Sequence, residues 1–323
     1  MDKRAKRALR RGIGQYGWAL LLYYLLLNVV VSVVAEIVLV YEGFQAVIEG
    51  DSWQQFVIGM EQAVEEVFYG NGWGYLIACV LTFILIRLWK GKDFFGSIFE
   101  VKQDMTVRSF VGSLCVFFSG QLVFQFLAVI EELLLNMVGL SVMESVELAS
   151  SGPDTFSMFL YMGLAAPLVE EIVFRGLLLR GLQPYGRRFA IFCSAVLFGL
   201  FHGNLVQSPY AFVVGLVLGY VAMEYSIVWA MVLHMMNNLV LGDVLMRLTA
   251  GLSPVVSDMI FLGIIGLSGI AGAVILIRSR KQIRAYRRGD PMDRQCLKAF
   301  CTTAPNVILF VITMLSALSM VLL

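Results

Sequence analysis

Charge is scarce in this chain, and the few charges that fall inside long apolar runs invite a chemical reading. Residues 167–175 read Pro-Leu-Val-Glu-Glu-Ile-Val-Phe-Arg, which sets Glu170, Glu171 and Arg175 close together in an otherwise apolar stretch. Ionisable groups at membrane depth cost roughly 2.5–3.5 kcal/mol each on insertion scales, so they mark functional sites by default. Glu171 and Arg175 are i and i+4; on a helix they share a face and pair. Glu170 lies about 100° around the helix from Glu171. A self-neutralising ion pair that fixes helix packing accounts for Glu171 and Arg175. It leaves Glu170 without a local partner, and a carboxylate in that setting suits a general acid or base.

The chain has two histidines, and both fall inside apolar runs. His202 sits in Phe198-Gly-Leu-Phe-His-Gly-Asn204, and His234 in His-Met-Met-Asn237-Asn238. A single intramembrane histidine is often a packing residue. Two at membrane depth, with none elsewhere, point to a shared site. His234 and Asn238 are i and i+4 and face one place. At about 1.5 Å per residue, Glu170 is about 15 Å from Arg180, His234 about 12 Å from the inner end of its run, and His202 about 20 Å from Arg188. These depths overlap, so the four groups can meet in one cavity. Glu36 reads as an interfacial residue near the outer end of the first run. Asn204 reads as a hydrogen-bonding neighbour of His202 or a helix C-terminal residue, and Asn237 as a packing or interhelical hydrogen-bond residue.

The elements that must position these groups are membrane helices. Hydrophobic residues make up 59% of the 323 residues, charged residues 15%, and the mean hydropathy is +0.82. A soluble domain carries about 25% charged residues. Nine apolar runs approach the roughly 20 residues a helix needs to cross a bilayer: 17–41, 73–89, 110–130, 156–179, 189–206, 209–224, 227–246, 256–277 and 305–323. The sixth is short, so eight spans plus a re-entrant segment also fits. None shows strand-like alternation, which predicts an all-α polytopic transmembrane helical bundle of about 8–9 spans.

Loop charge supplies the orientation. The N-terminus carries Lys3, Arg4, Lys6, Arg7, Arg10 and Arg11; residues 42–72 carry six acids and no base. Segments 87–108, 180–188 and 278–298 are basic, whereas 131–155 is acidic. Positive loops face the cytoplasm, so a multi-pass cell-membrane protein with a cytoplasmic N-terminus is expected. The run after the basic start is too long for a signal-peptide core and reads as a retained anchor. The regions divide as 1–150, with about three spans; 151–245, holding the candidate site; and 246–323, with the basic loop 278–298. A net charge of +1 gives no global field for nucleic acid. Cys79, Cys115, Cys193, Cys296 and Cys301 form no CxxC pair and read as free thiols.

EExxxR at 170–175, FxxxH at 198–202 and HxxxN at 234–238, in this order on consecutive hydrophobic segments, resemble the CAAX-protease and bacteriocin-processing (CPBP) family. Its eukaryotic relatives are prenyl-protein endopeptidases. Pro167 and the Phe-Arg-Gly stretch at 174–176 fit the same pattern, which covers roughly residues 150–245. The resemblance implies an intramembrane endopeptidase in which Glu170 activates a water shared with His202. It makes His234 and Asn238 stabilisers of the oxyanion, with Glu171 and Arg175 in support. Peptide hydrolysis does need a base, a water and preorganised donors. Glu170, His202 and His234 also match a three-ligand site for a divalent metal such as zinc, although HExxH is absent, and both forms stay open.

The expected partners are membrane lipid and a peptide or membrane-protein substrate, in peptide maturation, bacteriocin processing or self-immunity. A non-catalytic immunity or scaffold protein is the second reading. A small proton-coupled transporter is the third; no paired repeat supports it.

Overall fold

A computed structural model describes residues 3–322, without the side chains of Glu65, Phe68 and Tyr69. Met1, Asp2 and Leu323, which fall at the ends of the first and last predicted regions and spans, lie outside the described residues. Every regular element among the described residues is helical. In chain order the helices are α1 (Lys3–Glu49), α2 (Trp53–Glu65), α3 (Trp73–Lys90), α4 (Lys92–Ile98), α5 (Val107–Asn136), α6 (Met143–Ser150) and α7 (156–182). They continue as α8 (Arg187–Phe201), α9 (Gln207–Glu224), α10 (Ile227–Thr249), α11 (Pro254–Arg278), α12 (Arg280–Gly289), α13 (Arg294–Thr302) and α14 (Ala304–Leu322).

Six helices among the described residues are long and apolar enough to cross a membrane: α1, α3, α5, α10, α11 and α14. The predicted runs 156–179, 189–206 and 209–224 are helical too, but they fall outside that set. They form α7, α8 and α9, and these helices with α10 hold most of the buried core. The outer helices show the reverse. In α11 only Ile265 and Gly272 are buried, while Val255, Met259, Leu267 and Ile270 are exposed. A continuous apolar exterior of this kind is what a lipid solvent covers.

Local sequence explains the helix starts. Ser52, Thr106, Thr155, Ser226 and Asp293 each accept a backbone N–H with their side chains at an N-cap. Each cap satisfies a donor that the first turn leaves free. α8 ends earlier than the apolar run 189–206 suggests. Gly203 takes φ +55°, a left-handed conformation that stops the helix and turns the chain into α9. His202 is therefore the C-cap residue of α8 rather than an interior one.

α8 and α9 pack against each other extensively. A Cβ on Gly215 of α9 would lie 3.1 Å from Phe198 Cδ1 and 3.3 Å from Ala195. Only glycine lets α9 come this near. Of four π-helical stretches among the described residues, three lie in α7 and α10: Tyr161–Ala165 and Ile172–Leu179 in α7, and Asn237–Val244 in α10, the other being Glu66–Gly70. Pro167 lies between the first two and supplies no N–H of its own. Such wide turns cluster at functional sites, and these three flank the candidate residues.

Candidate active site

α7 presents Glu170 and Glu171 to α10, and the two carboxylates part as the helical geometry requires. Glu171 is fully buried, and its Oε1 accepts from Arg175 Nη1 at 2.9 Å. The same oxygen lies 2.9 Å from His234 Nδ1. One carboxylate oxygen thus joins a guanidinium on its own helix to an imidazole on another. Arg175 Nη2 also donates to the Gly215 carbonyl at 3.4 Å, and the Phe198 ring centroid is 4.3 Å from its guanidinium carbon, while its buried Nε has no hydrogen-bond partner. A buried guanidinium needs such partners, because an unpaired charge here is very costly.

Glu170 is the more open carboxylate, with 13% of its side chain exposed against 0% for Glu171. Its Oε2 lies 3.8 Å from His234 Nε2. That separation is too long for a direct hydrogen bond. The imidazole therefore meets Glu171 through Nδ1 and Glu170 through Nε2. Glu171, ion-paired to Arg175, is an acceptor, so Nδ1 donates to it and Nε2 faces Glu170.

His202 follows the same logic on another partner. Its Nδ1 is 2.8 Å from the Phe198 carbonyl, which only accepts, so this nitrogen is the donor and Nε2 is left free. Both imidazoles stand edge-on to the Phe198 ring, with centroids at 4.9 Å for His202 and 5.6 Å for His234. Phe198 is the hub on which the two histidines and Arg175 converge. The α8 backbone behind it is tied to α7 by Ser194 Oγ, which donates to the Phe174 carbonyl at 2.8 Å.

Asn238 stands one turn beyond His234, at the start of the π-helical part of α10. Its Nδ2 donates to the Met162 carbonyl at 2.8 Å, and its Oδ1 accepts from Asn237 Nδ2 at 3.1 Å. Asn237 Oδ1 accepts from Gln121 Nε2 at 3.0 Å and from the Tyr210 hydroxyl at 2.9 Å. Asn237 is thus an interhelical hydrogen-bond residue, as its position suggests. The amide chain runs along a cavity of about 190 Å³ that Asn238 helps to line.

Glu170, Glu171, Arg175 and His234 are therefore in direct or near contact. His202 joins them through Phe198, and Asn238 stands alongside with its own partners. Asn204 points elsewhere. Its Oδ1 accepts from Val206 N and Gln207 N, and its Nδ2 donates to the Ser145 carbonyl, so it builds the turn into α9. Glu36 lies exposed on α1. Among the described residues no three or more His, Cys, Asp or Glu side chains gather in a way that holds a metal ion.

Gln121 and Tyr210 belong to none of the sequence motifs. Gln121 carried the clearer signal, an amide in the middle of the run 110–130. Phe198 is marked as the first residue of FxxxH, but that spacing does not show that its ring meets Arg175 and His234 as well as His202.

Residues 152–240 match the model of the family described as Rce1-like, type II CAAX prenyl endopeptidase. The matched segment, which contains Glu170, Glu171, Arg175, His202, His234 and Asn238, is similar to that family and spans less than a third of the chain. The several long apolar helices make the protein a multi-pass membrane protein. Neither a curated protein nor a solved structure matches the chain.

Proposed function

We propose that the protein is an intramembrane endopeptidase that hydrolyses a peptide bond of a membrane-associated substrate with a water held by Glu170 and the two histidines. The observation that carries this reading is the 3.8 Å gap between Glu170 Oε2 and His234 Nε2. A separation of this width suits one bridging water. In the proposed step Glu170 takes a proton from the water as its oxygen attacks the carbonyl carbon. The tetrahedral oxyanion is stabilised by the Nε2–H of His234 in its imidazolium form and by the Asn238 amide, whose second N–H remains after the bond to Met162. The C–N bond then breaks, and the proton passes from Glu170 to the leaving nitrogen. His202 Nε2 orients the water. Glu171 and Arg175 hold the His234 ring in place.

The same reading places the N-terminus in the cytoplasm and lets α7, α8 and α9 cross with the six longer helices, giving about nine spans. The biological role we favour is maturation or clearance of a secreted or signalling peptide, including bacteriocin processing and self-immunity. The test is comparative peptidomics of cells carrying wild-type protein or Glu170→Gln at equal membrane levels. The expected outcome is a set of cleaved peptides lost in the variant, and cleavage by purified wild type that persists in chelator. Identical peptide profiles would leave a scaffold. Loss of proton-driven flux with no peptide product would indicate transport.

A further inference from the structure

The first turns of α1 carry Lys3, Lys6, Arg7, Arg10 and Arg11 into one cavity of about 580 Å³, closed on its other side by Thr303, Ala304 and Pro305 at the start of α14. None of the five cations makes an ion pair among the described residues. Arg10 donates to the Thr302 carbonyl at 2.5 Å, which fixes it against the α13–α14 junction. α1 carries no acid until Glu36. Five like charges in less than three turns repel one another, and the positive end of the α14 dipole adds to that field. The cluster is therefore a strong anion site at the end of a membrane helix.

The cationic cavity has an apolar neighbour. Gln15 and Trp18 line the first, and they also line a second cavity of about 390 Å³ between α1, α3 and α7. The second cavity is apolar: Leu22, Leu26, Leu85 and Ile86 form its walls, and Val173 and Leu177 are buried at its floor. A cationic chamber at the helix end beside an apolar channel along the helix fits an amphiphile with an anionic head and a hydrocarbon tail.

We propose that this pair of cavities is a binding site for one anionic phospholipid, its headgroup phosphate among Arg7, Arg10 and Arg11 and one acyl chain in the groove between α1, α3 and α7. The floor of that groove is α7, the helix that carries Glu170 and Arg175, so an occupying tail packs directly against the candidate catalytic helix. This site goes beyond the proteolytic reading and does not depend on it.

The test is native mass spectrometry of the full chain released from nanodiscs of phosphatidylcholine and phosphatidylglycerol in equal amounts. Wild type is expected to retain one phosphatidylglycerol and no stoichiometric phosphatidylcholine. The triple variant Arg7→Ala, Arg10→Ala, Arg11→Ala should bind it about 100-fold more weakly, at roughly five-fold per cation. The corresponding triple lysine variant keeps the charge and should keep the lipid, which separates loss of the site from loss of fold. Ala19→Trp, which fills the apolar groove, should release the lipid while the cations remain. Equal retention of both lipids would mean only a general lipid coat and would overturn the proposal. So would unchanged binding in the triple alanine variant. Displacement by inorganic phosphate alone would make it a free-anion site, and displacement by a neutral acylated peptide would give the groove to substrate.

Discussion

The candidate site is organised around Glu171 as much as around Glu170. Its Oε1 serves both Arg175 and His234. Removing one member of a buried pair leaves the other charge uncompensated, at about 3–5 kcal/mol. Glu171→Gln is therefore expected to destabilise the protein by about that amount, measured as denaturant unfolding in detergent. The double variant Glu171→Leu, Arg175→Leu removes both charges and should recover most of the loss. Its cleavage activity should stay low, because His234 Nδ1 then lacks the acceptor that orients its ring. A double variant as unstable as the single one would deny the pair its structural role. The i,i+4 pairing of these two residues was legible in the sequence, as was the divergence of Glu170. The reach of Glu171 to His234 was not, because it joins residues 63 apart on separate helices and no local spacing encodes that.

At the scale of elements, the close approach of α8 and α9 decides where Phe198 can sit. Gly215 leaves room for the Phe198 ring and offers its carbonyl to Arg175. Gly215→Val should push the ring aside, at about 1–3 kcal/mol of overpacking. Peptide cleavage should fall with it, since both histidines lean on that ring. A variant as stable and active as wild type would show that Phe198 is not the hub. Helix type and approximate position could be read from apolar runs alone, as α3, α10 and α11 illustrate. The π-helical stretches could not. Their wider turns reflect tertiary partners such as the Ser194 hydroxyl on the Phe174 carbonyl, which apolar periodicity does not record. The early end of α8 was hidden for a related reason: Gly203 interrupts a run whose hydropathy continues past it.

For the molecule as a whole, the basic and acidic loops alternate in a way that sets orientation. Reporter fusions placed after Gly289 should be cytoplasmic, and fusions after Gly251 should be external. Protease or thiol accessibility in sealed vesicles measures this directly. The reverse pattern at both positions would invert the proposed topology. The membrane character was the most legible property of the sequence, because composition and loop charge are summed over hundreds of residues. The division of labour among the helices was less so. α7, α8 and α9 are as apolar as a span needs to be locally, yet they are enclosed by protein. α1, α3, α5, α11 and α14 expose large apolar residues on the outside, and hydropathy does not distinguish the two environments.

The shared oxygen of Glu171 makes the readiness of the site a property of helix spacing. Any separation of α7 from α10 would draw His234 away from Glu171, which at once frees its ring and leaves Arg175 as the sole occupant of that oxygen. Under the proposed function, a bundle opened in this way would be disarmed, and rejoining the two helices would rearm it.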